Sequence, residues 1–109
     1  MRGVGVDAPY CLRMEEKLIR WHIVFRGEVQ FVGFRHTAYR LAKSLGLTGW
    51  VKNLDDGTVE AEAQGSVSLL RKWIIALKSQ PYIHITGFTV REIAPVPRET
   101  RFSVRDLYQ

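Results

Sequence analysis

A single cysteine, Cys11, leaves this chain with no partner for an intramolecular disulfide and too few thiolates for a cysteine-built zinc site. A disulfide-stapled secreted scaffold is excluded, and a reducing compartment is expected. Proline and glycine are also sparse, four and nine among 109 residues, which excludes collagen-like and low-complexity chains. Apolar runs such as Trp73 to Leu77 are far too short to cross a bilayer, and no apolar block precedes a cleavage site near the N-terminus. A cytoplasmic protein with no membrane partner is expected. Acids are outnumbered, eleven Asp plus Glu against sixteen Lys plus Arg, for a net charge of +5 and a pI near 9.7. The basic residues are spread from Arg2 to Arg105 without a dense block, which reads as a solvated surface rather than a nucleic-acid footprint.

Several catalytic signatures are missing too: no Gly-x-Ser-x-Gly elbow, no His-Glu-x-x-His and no Gly-x-x-x-x-Gly-Lys phosphate loop. His22, His36 and His84 lack metal-ligand spacing and read as surface or strand-edge histidines. Glu60 and Glu62, about 7 Å apart along a strand, alternate with Val59, Ala61 and Ala63 and read as the solvent face of a one-sided sheet rather than a carboxylate pair.

What is present is one folding unit, with 46% hydrophobic residues for a single core. Residues 1–16 follow neither hydrophobic period and are expected to form a poorly ordered extension ahead of a domain spanning 17–109. Trp21, Ile23 and Phe25 alternate with His22 and Arg26, so a strand is expected from Leu18 to Val29. Phe34, Ala38, Leu41, Ala42 and Leu45 share one helical face, stopped by Gly46. Leu47 to Asn53 and Thr58 to Gln64 read as strands joined at Asp56-Gly57, a strong hairpin signal. Val67, Leu70, Trp73, Ile74 and Leu77 form a second amphipathic stripe, opened by Ser66 and followed by Pro81. A long strand from Ile83 to Ile93 and a short one from Arg101 to Leu107 complete the chain.

The order is βαββαβ with a short last strand added. Two right-handed βαβ-like halves predict a ferredoxin-like α/β (α+β) sandwich: an antiparallel four-stranded sheet with both helices on one face. Such a fold hosts many unrelated functions, so activity has to be read from particular residues.

The distinctive segment is Gly27-Glu28-Val29-Gln30-Phe31-Val32-Gly33-Phe34-Arg35, between the first strand and the first helix. Unpaired backbone N–H groups in such a loop and at the helix start form a cradle for a phosphate. Within it, Gln30, Phe31, Val32, Gly33, Phe34 and Arg35 are the expected phosphate-binding loop. The planar fork of Arg35 can hold two phosphoryl oxygens at once, the alternative being a solvent-exposed arginine in a first helical turn.

The same segment resembles the acylphosphatase signature Gly-x-Val-Gln-Gly-Val-x-Phe-Arg. Gly49-Trp50-Val51-Lys52-Asn53-Leu54-Asp55-Asp56-Gly57-Thr58-Val59-Glu60 is similar to the family's second signature, Gly-Trp-Val-x-Asn-x-x-Asp-Gly-x-Val-Glu, and Phe102-Ser103-Val104-Arg105 resembles its last strand. The resemblance covers about Trp21 to Leu107. It implies metal- and cofactor-free hydrolysis of acyl phosphates to a carboxylate and inorganic phosphate, the phosphate also acting as competitive inhibitor. By match of motif, Arg35 is similar to the phosphate-binding arginine and Asn53 to the asparagine that orients the attacking water. Read without the motif, Asn53 is a turn-initiating residue before Asp55-Asp56-Gly57. It would stand beside the loop after the first strand if the first two strands are neighbours.

Phe31 stands where the signature has glycine, and a phenylalanine held at positive φ costs about 1 to 2 kcal/mol. That departure motivates one rival reading, an acylphosphatase-like anion-binding module with poor turnover. A second rival is an RNA-binding sheet, which the carboxylates of Thr58-Val59-Glu60-Ala61-Glu62 argue against, since stacking aromatics belong there. A monomer is expected, since a chain of this size closes its own core.

Overall fold

The computed structural model of the chain describes residues 17–30 and 33–106. The expected extension at 1–16, Phe31, Val32 and the chain end at 107–109 lie outside the described residues. Five strands and two helices follow in the order β1 (Ile19–Glu28), α1 (Phe34–Ser44), β2 (Thr48–Asn53), β3 (Val59–Gly65), α2 (Val67–Lys78), β4 (His84–Ile93) and β5 (Phe102–Arg105). They form one sheet in the order β4-β1-β3-β2-β5.

The first four strands pair antiparallel, as their pattern predicts. The sheet has five strands rather than four, because β5 adds to the free edge of β2 in parallel, with Gly49 opposite Phe102 and Lys52 opposite Arg105. The condition under which Asn53 would stand beside the loop after β1 is not met, since β1 and β2 are not neighbours: β3 lies between them. The loops that follow β1 and β2 nevertheless emerge at one end of the sheet, because β3 runs antiparallel to both.

Local chemistry accounts for the elements. The α1 stripe buries Phe34, Ala38 and Ala42, and Gly46 at φ +73° ends the helix in the left-handed region that a side chain disfavours. Ser66 caps α2 by accepting from Leu69 N–H at 3.3 Å. At the β2–β3 turn, Asp56 Oδ1 accepts from the N–H and the Oγ1 hydroxyl of Thr58 at 3.0 and 2.6 Å. Gly49 is required for close approach: at φ +136°, a Cβ would collide with the carbonyl oxygen of Glu62.

Between the sheet and its two helices lies the core, with Ile23, Phe25, Val51, Val59 and Ala61 under Leu70, Trp73 and Leu77. Phe25 is its centre, 5.1 Å from the Phe34 ring and 6.1 Å from that of Trp73. The buried indole of Trp73 donates to Ala38 O at 3.0 Å, so the aromatic that locks α2 onto α1 leaves no polar group unmet. Truncating it would cost about 3 to 5 kcal/mol.

The opposite sheet face is less open than its alternation suggests. Arg20, only 2% exposed, donates to Glu62 at 2.8 Å, Gln64 at 3.2 Å and Glu99 at 2.7 Å. Burial works against this charge, and the hydrogen bonds of Glu99 and Glu62 outweigh it, raising the guanidinium above its ordinary pKa. Gln64 both donates to and accepts from the backbone of Val96, at 3.0 and 2.7 Å. The connection from β4 to β5 is thereby strapped to the sheet. Glu60 and Glu62 are half-buried partners of His22 and Arg20, not the free solvent face expected.

Candidate active site

A cleft of about 340 Å³ opens at the end of the sheet where β1 and β2 finish, against the start of α1. Its walls are Val29, Gly33, Phe34, Arg35, His36, Asn53 and Val104. Three segments of the chain build it: the β1–α1 junction, the last residue of β2, and β5. Sequence reading named Gly33, Phe34, Arg35 and Asn53, and the fold brings these four together.

The junction leaves backbone donors open at the start of α1. Gly33, at φ +75°, stands at the N-cap without any side-chain capping bond, and the first turn of α1 carries no acidic residue. The first helical bond is Thr37 N–H to Gly33 O at 2.9 Å, so the N–H groups of Phe34, Arg35 and His36 precede any intrahelical partner. Such a terminus attracts negative charge. Phe34 itself contributes little polar chemistry, being 1% exposed in the core; it anchors the helix start beneath the cradle.

Arg35 is one-third exposed and is held from β5. Its Nη1 donates to Arg105 O at 2.9 Å and lies 3.8 Å from Asp106 Oδ1. Anchoring one nitrogen of the fork to a main-chain oxygen limits the side chain's rotamers while keeping its charge at the cleft wall.

Asn53 ends β2 on the helix-facing side of the sheet, opposite Val59 in β3. Its Oδ1 is buried and has no hydrogen-bond partner among the described residues. A buried acceptor left unmet costs about 1 to 3 kcal/mol, a penalty that a folded protein retains where the atom has another use. The atom can accept an O–H from a water while leaving that water's lone pairs free.

Gln30 commits its side chain to the neighbouring turn. Its Nε2 donates to Leu54 O and Thr58 O, both at 2.8 Å, so its two amide hydrogens go to the β2–β3 turn rather than to an anion. This bond pair joins the loop after β1 to the loop after β2 across the end of β3. The two loops are thus linked without adjacency of their strands. The expected contribution of Phe31 and Val32 lies outside the described residues.

His36 was read as a surface histidine and was missed as part of the site: it is exposed, yet lines the cleft beside Arg35, its ring centroid 6.3 Å from that of Tyr39. Its position directly after Arg35 in the first helical turn was the available signal. Val29 and Val104 were also missed. Nothing in their local pattern distinguishes a cleft wall from any other apolar position. Among the described residues, no group of three or more His, Cys, Asp or Glu side chains is placed to hold a metal ion, and no helix is long and apolar enough to cross a membrane.

Comparison with known proteins places these features in a family. The acylphosphatase family model matches residues 21–104. The chain is 48% identical over 91 residues to an acylphosphatase of Syntrophotalea carbinolica, a match covering 82% of this chain and 98% of that protein. It is 44% identical over 88 residues to one of Methylococcus capsulatus, covering 78% of this chain and 94% of the relative. Among solved structures, the crystal structure of acylphosphatase from Bacillus subtilis aligns with a TM-score of 0.74 at 36% identity, over 80% of this chain and 98% of that one.

Proposed function

The chain belongs to the acylphosphatase family, and from that premise we propose that it hydrolyses acyl phosphates at the cleft between α1, β2 and β5. The observation that carries the reading is the placement of Arg35 and Asn53 in the walls of one cleft, at a helix N-terminus with no side-chain cap, the buried Asn53 Oδ1 having no hydrogen-bond partner among the described residues. The phosphoryl group is held by the N–H groups of the junction and by the Arg35 fork, which neutralise the charge on its non-bridging oxygens. Asn53 Oδ1 accepts one O–H of a water and turns its lone pair toward phosphorus. As the water oxygen bonds to phosphorus, the bond from phosphorus to the acyl oxygen breaks and its electron pair leaves with the carboxylate. The proton released by the water stays with the phosphate or passes to solvent.

No enzymatic acid or base is needed in this scheme. The leaving group's conjugate acid has a pKa of only about 4 to 5, so it departs as an anion without being protonated. What remains is positioning and charge stabilisation, the main contributions of proteins to phosphoryl transfer. Inorganic phosphate, as product, competes for the same cradle. The cysteine-poor sequence supports a cytoplasmic enzyme, and a chain of this size closing its own core supports a monomer.

Neither rival reading is favoured. The family match extends over both signatures, and the face that an RNA-binding sheet would use is occupied by the Arg20, Glu62 and Glu99 ion pairs. Turnover of acetyl phosphate by the purified chain, with and without chelator, tests the proposal. Hydrolysis unaffected by chelator and inhibited competitively by phosphate is expected. Binding of phosphate without turnover would leave only an anion-binding module, and loss of activity with chelator would remove the mechanism.

A further inference from the structure

At the other end of α1 lies a second and larger cleft, about 410 Å³, walled by Tyr39, Lys43, Gly46, Leu47, Thr48, Thr100, Arg101 and Phe102. It shares no lining residue with the first. Lys43 is eight residues beyond Arg35 on the same helix, about 12 Å along its axis, so the two clefts are separate sites.

The charges in this second cleft are one-sided. Lys43 from the last turn of α1 and Arg101 from the residue before β5 converge on it, and its lining includes no aspartate or glutamate. Neither cation forms an ion pair within the described residues. The nearest acid in sequence to Arg101 is Glu99, and its carboxylate is committed to Arg20 on the opposite face, at 2.7 and 3.4 Å. Lys43 Nζ lies 5.7 Å over the ring of Tyr39, and the backbone of Arg101, though not its exposed side chain, is fixed by its carbonyl accepting from Gly49 N–H at 3.0 Å.

Two like charges lining one cleft repel each other, and an anion between them offsets that repulsion. The C-terminus of α1 opposes anions with only about half a charge, and its last carbonyls are already engaged: Leu41 O and Ala42 O accept from Leu45 N–H, and Ala42 O also from Leu47 N–H. Tyr39, Thr48 and Thr100, each with a hydroxyl able to donate, line the same space.

We propose that this cleft binds a small dianionic or polyanionic molecule of the diphosphate class, gripped between Lys43 and Arg101, at a site separate from the catalytic one. The volume corresponds to about fourteen waters at roughly 30 Å³ each, enough for a diphosphate with a small substituent. The inference does not depend on the hydrolytic reading, since none of its residues belongs to that site.

The test is a titration of the full chain with inorganic pyrophosphate, followed through the backbone amide resonances, in wild type and in Arg35→Gln, which disables the first cleft. Saturable shifts at Gly46, Thr48 and Thr100 are expected in both proteins. Lys43→Gln and Arg101→Gln should each weaken this response at least tenfold, Lys43→Arg should restore it, and acetyl phosphate turnover should stay unchanged. Because both side chains are on the surface, the variants should keep the wild-type melting temperature, which is measured on the same samples. Shifts confined to the first cleft, shifts that rise linearly without saturating, or a response that survives Lys43→Gln combined with Arg101→Gln would each overturn the proposal.

Discussion

The Nη1 of Arg35 donates to the main-chain carbonyl oxygen of Arg105 at 2.9 Å, tying the first turn of α1 to the last residue of β5. Arg105 is itself held, its guanidinium carbon lying 4.6 Å from the centroid of the Trp50 ring in β2. The orientation of Arg35 therefore depends on an edge strand contributed from the other end of the sequence.

Replacing Arg35 by glutamine should remove phosphate affinity and turnover together, each by about 100-fold or more, since the charge and the fork are lost at once. Arg35→Lys should recover only part, because an ammonium keeps the charge but cannot share its donors between Arg105 O and a phosphoryl oxygen in the same geometry. Initial rates on acetyl phosphate with phosphate inhibition constants measure both. Near-normal turnover in Arg35→Gln would place the chemistry elsewhere.

Asn53→Ala should separate the two functions. Turnover should fall by about 10² to 10³, while the phosphate inhibition constant stays within about threefold of wild type, because the water and not the phosphate loses its partner. Stability should hold or rise, since a buried acceptor without a hydrogen bond is removed. A lower melting temperature together with parallel losses of rate and phosphate binding would instead show a disrupted hairpin.

For Gln30→Ala, the expected loss is structural first. Two hydrogen bonds to the β2–β3 turn disappear, at about 0.5 to 1.5 kcal/mol each. Turnover should also fall, because the junction and Asn53 lose the bridge that fixes their separation. Gln30→Glu should be worse than alanine, as a carboxylate would face two carbonyl oxygens. Denaturant unfolding alongside kinetics checks both, and an alanine variant with unchanged turnover would make the bridge irrelevant to the site.

Asp56 sets an acid-side dependence. Hydrogen bonds from the side chain and then the backbone of Thr58 hold its carboxyl below the ordinary value of 3.8. A depressed folded-state pKa means that its contribution is present above the unfolded value and is lost as the pH falls through the folded one. The stability difference between wild type and Asp56→Ala should therefore be constant near neutrality and shrink below about pH 4. Thermal unfolding from pH 7 down to pH 2 measures it, and a difference that grows toward low pH would reverse the assignment.

Much of this protein was already legible in its residues. The apolar spacing of Phe34, Ala38 and Ala42, the Ser66 cap and the Asp56-Gly57 turn act over a few residues, so local sequence determined where helices and hairpin form. The two signatures likewise marked Arg35 and Asn53, which the fold brings to the walls of one cleft and which the proposed mechanism uses. What only the tertiary structure decided are contacts between distant segments. The pairing of β1 with β3, the use of Gln30 as a bridge, the parallel addition of β5 and the capture of Arg35 by Arg105 each join segments at least 24 residues apart. His36, Val29 and Val104 became cleft walls for the same reason. A local pattern records which side of an element is apolar, whereas a cleft is formed by whatever other segments the packed sheet brings to that side.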